Sequence, residues 1–94
     1  MYNSQTTADT LAPITHWLTD RVADHLDLPA EDVDPTVELA VMGMDSVATV
    51  NLCGEIEDRW LMYVDATLVF DYPTIAQIAG FVADAIADRS ATAS

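Results

Sequence analysis

The sequence predicts an all-α fold, a bundle of three main helices and one short one. Three observations carry this. Apolar residues recur at helical spacing in three separate stretches. No stretch alternates apolar and polar residues over the length of a half-buried strand with a strand to pair against; Leu61 to Val64 is extended in character but has no partner. Pro, Asp, Ser and Thr fall where helices start and stop.

Residues 1–9 are polar, have no period and read as a flexible tail. The first helix is expected to start at Asp9 or Thr10, with Pro13 tolerated in its first turn. Leu11, Ile14, Leu18, Val22 and Leu26 form its apolar stripe, and Trp17 covers the flank. His25, near the stripe, reads as a packed or bonded side chain and not as a catalytic one. Pro29 is expected to end the helix. Pro29 to Met44 then makes a long connection, of the length that is usually functional or packed by its own side chains. Val33, Val37, Leu39 and Val41 are expected to pin it to the core, and Asp34-Pro35-Thr36 to start a turn.

The second helix is expected from Ser46 to Trp60. Gly43 lets the backbone turn just before it, and Asp45 and Ser46 are both good capping residues. At ~100° per residue, Thr49, Leu52, Cys53, Ile56 and Trp60 share one side, read as core. Val47 and Val50 lie on another side beside Gly54, read as a small apolar patch for a partner. Gly54 costs ~1 kcal/mol of helix propensity against alanine, which asks for a reason such as close approach by that partner. Asp65 is expected to cap a short third helix, Ala66 to about Phe70, ended by Asp71-Tyr72-Pro73. Thr74 caps the fourth helix, with Gln77 completing a capping box. Ile75, Ile78, Ala79, Val82 and Ile86 form its buried stripe, with Phe81 at the edge. Residues 89–94 read as a second loose end.

Composition narrows the function. Sixteen acidic residues face three arginines and no lysine, a net charge of −13. Nucleic acid and anionic membranes are poor partners for such a surface, and basic protein surfaces are good ones. No run reaches the ~20 apolar residues of a membrane span. The N-terminus resembles neither a signal peptide nor a transit sequence, so the cytoplasm is the expected compartment. His16, His25 and the single Cys53 have no metal-ligand spacing, so no metal is expected, and Cys53 reads as a small buried hydrophobe. Two histidines, one buried-looking cysteine and no paired-carboxylate motif offer no enzyme site. One feature points to chemistry: the Ser46 hydroxyl at a helix N-terminus on the tip of a long loop. The helix dipole and free amides there favour an attached phosphate. Ser46 has no motif-level base, so another protein must activate it.

At Met42-Gly43-Met44-Asp45-Ser46-Val47 the chain resembles an acyl carrier protein, whose pattern is a Leu-Gly-x-Asp-Ser-Leu run opening the second helix. A second block, Ala66-Thr67-Leu68-Val69-Phe70-Asp71-Tyr72-Pro73-Thr74, resembles the carrier domains of polyketide synthases, and the distance between the blocks fits that group without a gap. The resemblance spans residues 10–88, taken as the carrier domain. It implies an acyl-carrier-like four-helix bundle with a long loop between the first two helices. It implies 4′-phosphopantetheine from coenzyme A on Ser46, with Asp45 and Gly43 shaping the attachment site. Acyl groups then travel as thioesters on that arm. The implied partners are a phosphopantetheinyl transferase, an acyltransferase or acyl-activating ligase, a ketosynthase and tailoring enzymes. They are expected to read Met44, Val47, Val50, Asn51, Gly54 and Asp58. Asn51 stands where many carriers have glutamate, and Gly54 where a larger residue is common. Asp45 favours an acyl carrier over a peptidyl carrier, which often has His there. Met1 and the polar ends read as those of a stand-alone protein, and the carrier is expected to be non-catalytic and monomeric. Two alternatives stay open: a peptidyl or aryl carrier of a nonribosomal peptide pathway, and an unmodified helical interaction module in which Ser46 is only a cap.

Overall fold

The computed structural model describes the backbone of residues 2–93 and the side chains of residues 10–89. Five helices follow one another: α1 (Tyr2–Leu26), α2 (Leu39–Met42), α3 (Ser46–Trp60), α4 (Leu68–Asp71) and α5 (Ile75–Ala93), with a 3-10 turn at Ala30–Asp32. The fold is the expected helical bundle. Three long helices supply the core: Ile14, Leu18 and Val22 from α1, Leu52, Cys53 and Ile56 from α3, and Ile75, Ile78, Ala79 and Val82 from α5. Val33, Leu39, Met44, Val64 and Leu68 close it from the connections. Each such large aliphatic contributes ~1.5–3 kcal/mol by leaving water. Leu11, Leu26, Ile86, Phe81 and Trp17 are partly buried against this core, which is where the stripes put them.

Three contacts hold the long helices in register. The Trp17 and Trp60 rings meet edge to face, centroids 4.8 Å apart. His25 Nε2 lies 2.9 Å from Glu55 Oε1, tying the end of α1 to the middle of α3. Arg89 on α5 donates to the carbonyls of Trp60 and Leu61, at 2.9 and 3.3 Å, at the C-terminus of α3.

Several boundaries differ from the sequence expectation. The helical backbone of α1 begins at Tyr2, so Pro13 lies inside the helix and not in its first turn. Proline fits a first turn because its missing N–H has no partner there. No glycine or proline precedes it, however, so nothing stops the helix from continuing upstream. In the same way α5 runs on to Ala93, beyond the expected end of the domain. At its other end α1 stops at Leu26, before Pro29. Asp27 takes a left-handed conformation (φ 58°), and the Leu28 N–H closes back on the Ala23 carbonyl at 2.9 Å. The short third helix starts at Leu68. Asp65 acts one turn ahead of it, accepting from the Thr67 amide (2.9 Å) and hydroxyl (3.0 Å).

The long connection is not bare loop. It holds the 3-10 turn, an Asp34-centred turn in which Asp34 Oδ1 accepts from the Thr36 amide at 2.9 Å, and the one-turn helix α2. Backbone bonds fasten it to the start of α5: the Leu39 N–H donates to the Pro73 carbonyl at 2.9 Å, and the Ala76 N–H to the Pro35 carbonyl at 3.0 Å. Glu38 and Thr74 form an isolated antiparallel bridge between the same segments. Val33 and Leu39 are buried as expected. Val41 is not, being 73% exposed. On a helix it sits about 200° around the axis from Leu39, so the two cannot both face the core.

Candidate functional site

The site is built where α2 hands over to α3. Gly43 ends α2 with φ +106°, a region that favours glycine. Its N–H closes on the Ala40 carbonyl at 3.2 Å, and the Met44 N–H closes on the Leu39 carbonyl at 3.0 Å. A Cβ at Gly43 would still lie 3.8 Å from the nearest atom, Leu26 Cδ2, so backbone conformation and not space calls for glycine there.

The next residues alternate. Met44 turns inward and is 7% exposed. Asp45 turns outward as the N-cap of α3, and its Oδ1 accepts from the Ala48 amide at 2.8 Å. The Asp45 carbonyl accepts from the Thr49 amide at 3.0 Å. Ser46 is the first helical residue and is exposed. The Ser46 hydroxyl is thus presented to solvent on a turn whose neighbours are fixed on both sides. Asp45 satisfies one of the four amides that a helix start leaves without partners. The others, with the dipole of a fifteen-residue helix behind them, suit an anionic group on Ser46. Ser46 is exposed, so the residues present fit a bulky phosphodiester substituent there.

Met44 is therefore a correction. The sequence assigns it to a partner interface, but it is buried beneath the start of α3. After a glycine turn, consecutive extended residues point to opposite sides. Asp45 must face out to cap, so Met44 faces in. Val47, Val50 and Asn51 are exposed on one face of α3, with Asp58 exposed and Gly54 half-buried further along it. Val47 and Val50 do not pack under the loop: they are 68% and 55% exposed.

The structure adds a feature that sequence reasoning missed. A cleft of about 370 Å³ opens beside Ser46, between α2, α3 and the segment around α4. Leu39, Met44, Thr49, Val50, Val69 and Phe70 line it, with Ser46 and Asp45 at its edge. Val69 and Phe70 lie within the second of the two sequence blocks. That block marked a family; only the fold sets it against the serine. A wider groove of about 720 Å³ runs between α1, the 3-10 turn and α3, lined by Trp17 and by Arg21, Asp24, Glu55, Asp58 and Arg59. Ser46 takes no part in it; within it Arg21 pairs with Asp24 and lies 3.8 Å from Glu55, which His25 also engages from α1.

Cys53, the other nucleophile in the bundle, is buried, and its Sγ lies 3.8 Å from the Asp65 carbonyl. Burial pushes its thiol up, and the nearby Glu57 and Asp65 carboxylates add to this. That is the setting of an inert thiol.

Comparison with known proteins agrees with this geometry. Residues 16–82 match the family described as the phosphopantetheine attachment site. A 6-methylsalicylic acid synthase of Penicillium terrestre is 44% identical over 54 residues, which cover 57% of this chain and 3% of the synthase. The chain spans about 3 to 4% of the length of the curated relatives it matches first. A free-standing peptidyl carrier protein of Acinetobacter baumannii superposes with a TM-score of 0.79 at 26% identity, covering 81% of this chain and 95% of that one. The HMG-ACPI domain of the CurA module of Lyngbya majuscula shares the fold, with a TM-score of 0.79 at 22% identity over 85% of this chain and 81% of that one.

Proposed function

The chain belongs to the phosphopantetheine attachment-site family, and from that premise we propose that it is an acyl carrier protein of polyketide assembly with Ser46 as its attachment residue. The family carries 4′-phosphopantetheine covalently, and the carrier itself is non-catalytic. When attached, the arm supplies a thiol that holds acyl groups as thioesters. The observation that supports Ser46 most directly is its exposure as the first residue of α3, beside Asp45 in the cap. In loading, Ser46 Oγ gives up its proton and bonds to the phosphorus of coenzyme A that bears pantetheine, releasing 3′,5′-adenosine bisphosphate. Among the described residues no hydrogen bond from a base to the Ser46 hydroxyl is seen, and the sequence offers no motif-level base, so a phosphopantetheinyl transferase with Mg²⁺ supplies the activation. The chain's own residues present and orient: Gly43 makes the turn, Met44 anchors it, and Asp45 holds the first helical turn.

The polyketide assignment draws on the two sequence blocks and on the synthases this chain is similar to. A peptidyl carrier is the second reading, since the free-standing carrier of Acinetobacter baumannii bears that name. Whether an acyltransferase or an amino-acid-adenylating enzyme loads the arm separates the two. Working partners on the polyketide reading are an acyltransferase or acyl-activating ligase, a ketosynthase and tailoring enzymes. We take residues 10–88 as the functional domain and the carrier as a monomer.

The test of attachment is direct. The purified chain is incubated with coenzyme A, Mg²⁺ and a broad-specificity phosphopantetheinyl transferase, and its intact mass is recorded. A gain of one phosphopantetheinyl group, absent in Ser46→Ala, is expected. A folded chain in the apo form that gains nothing would overturn the reading and favour the unmodified interaction module.

A further inference from the structure

The stretch that follows α3, extended in character and without a strand to pair with, presents a surface that the attachment site does not use. Its residues alternate. Met62 is partly buried and Val64 is buried, and the Val64 amide donates to the Glu57 carboxylate at 2.8 Å. Leu61 and Tyr63 turn outward instead and are 83% and 78% exposed. Leu61 also holds a left-handed backbone, φ 52°, at the C-cap of α3. That conformation is costly for a residue with a Cβ, and helix ends usually give it to glycine. An exposed leucine thus stands where glycine would end the helix with less strain, so its side chain answers a need outside the fold.

The charge here departs from the rest of the chain. Sixteen acidic residues face three arginines, and two of the three, Arg59 and Arg89, lie at this end. Both are exposed. Arg89 donates to the carbonyls of Trp60 and Leu61, and the Arg59 guanidinium lies 5.3 Å from the centroid of the Trp60 ring. Among the described residues neither pairs with a carboxylate. The nearby Glu57 and Asp65 carboxylates are engaged by the Val64 and Thr67 amides. Asp58 is exposed, but it points about 100° around α3 from Arg59. A guanidinium stacked on a ring, or bonded to carbonyls through one nitrogen, keeps N–H donors for a carboxylate.

We propose that Leu61 and Tyr63, flanked by Arg59 and Arg89, dock a partner segment that carries carboxylates beside apolar side chains. Such a partner is opposite in charge to the basic surfaces that suit the chain as a whole, with its net charge of −13. The surface lies at the far end of α3 from Ser46, about 21 Å away at 1.5 Å per residue. At about 0.15 M salt the screening length is about 8 Å, so the Asp45 carboxylate beside Ser46 acts little on a segment that touches Arg59. A partner seated here holds the chain by one end and leaves Ser46, at the other, open to the enzymes that load it.

The probe is a short synthetic peptide in which glutamate alternates with leucine and serine, beside a counterpart with lysine for glutamate. Each is titrated into the full-length, nitrogen-15-labelled chain at about 0.15 M salt, and the backbone amides are followed by NMR. The acidic peptide is expected to shift the amides of residues 59–64 saturably, with Kd below about 1 mM, and to leave those of residues 44–50 in place. Arg59→Glu and Leu61→Ser are each expected to weaken it at least about five-fold. Leu61→Gly is expected to weaken it equally while raising Tm, since it relieves the backbone and removes only an exposed side chain. Modification of Ser46 by a broad-specificity transferase is expected to run within about two-fold of its usual rate with the peptide bound. Absence of saturable shifts at residues 59–64, equal binding of the lysine peptide there, variants that bind like the wild type, a lower Tm in Leu61→Gly, or a bound peptide that blocks modification overturns the proposal. Failure of the free chain to be modified overturns the reading of Ser46 alone, because the peptide titration does not depend on it.

Discussion

Replacing Asp45 tests the local design of the site at a single hydrogen bond. Asp45 Oδ1 accepts from the Ala48 amide at 2.8 Å, the side-chain cap of α3 among the described residues. Asp45→Ala removes that acceptor while leaving the Asp45 carbonyl, which holds the Thr49 amide at 3.0 Å, in place. Because the residue is exposed, water partly replaces the lost partner, so the cost is that of a missing cap, about 1 kcal/mol within a range of roughly 0.5–2. For a domain of this size that lowers Tm by about 4–8 °C per kcal/mol. Asp45→Asn keeps an acceptor in the same place and loses only the charge at the positive end of the helix dipole, roughly 0.3–1 kcal/mol and less in salt. Thermal unfolding followed by circular dichroism, at low and high salt, is the assay. The expected order of stability is wild type, then Asp45→Asn, then Asp45→Ala, with the first two converging in salt. An Asp45→Ala protein that melts with the wild type, or an Asp45→Asn protein as unstable as Asp45→Ala in salt, would refute the capping account.

Gly54 and Cys53 give further tests. A Cβ at Gly54 meets nothing within 4 Å, so Gly54→Ala should raise stability by up to about 1 kcal/mol through helix propensity alone; an unchanged or lower Tm would show that the glycine answers a constraint within the fold. Cys53 is 4% exposed with its thiol pushed up, so alkylation at about pH 8 should be slow in the folded chain and fast in urea, and rapid alkylation of folded protein would contradict the burial. The same shift has a stability consequence: the folded chain keeps the thiol proton that the unfolded chain releases near the ordinary value of 9.0. Its contribution is therefore complete below that pH and is lost as pH rises toward the folded value, a decline that Cys53→Ala should remove from the alkaline limb of the stability profile.

The parts of this protein that were legible in the sequence are those decided within a turn or two of chain. The apolar stripes of the three long helices and the bounds of α3 follow from a 3.6-residue period. The Thr74–Gln77 capping box forms as written: the Gln77 amide donates to Thr74 Oγ1 at 3.1 Å, and Gln77 Oε1 accepts from the Thr74 amide at 3.2 Å. The turn at Gly43 and the cap at Asp45 are equally local, and together they define where Ser46 stands. Only the tertiary structure decided which way the intervening residues face. Leu39 and Val41 are equally apolar candidates for the core. The bond from the Leu39 amide to the Pro73 carbonyl sets the rotation of α2, so Leu39 is buried and Val41 is left exposed. Met44 went inward because its neighbour had to cap, and Val50, Val69 and Phe70 line one cleft because the segment around α4, some twenty residues downstream, packs beside the first turns of α3. Local spacing fixes a helix and its caps; a cleft between three helices needs contacts between residues far apart in the chain, and those exist only once the core has closed.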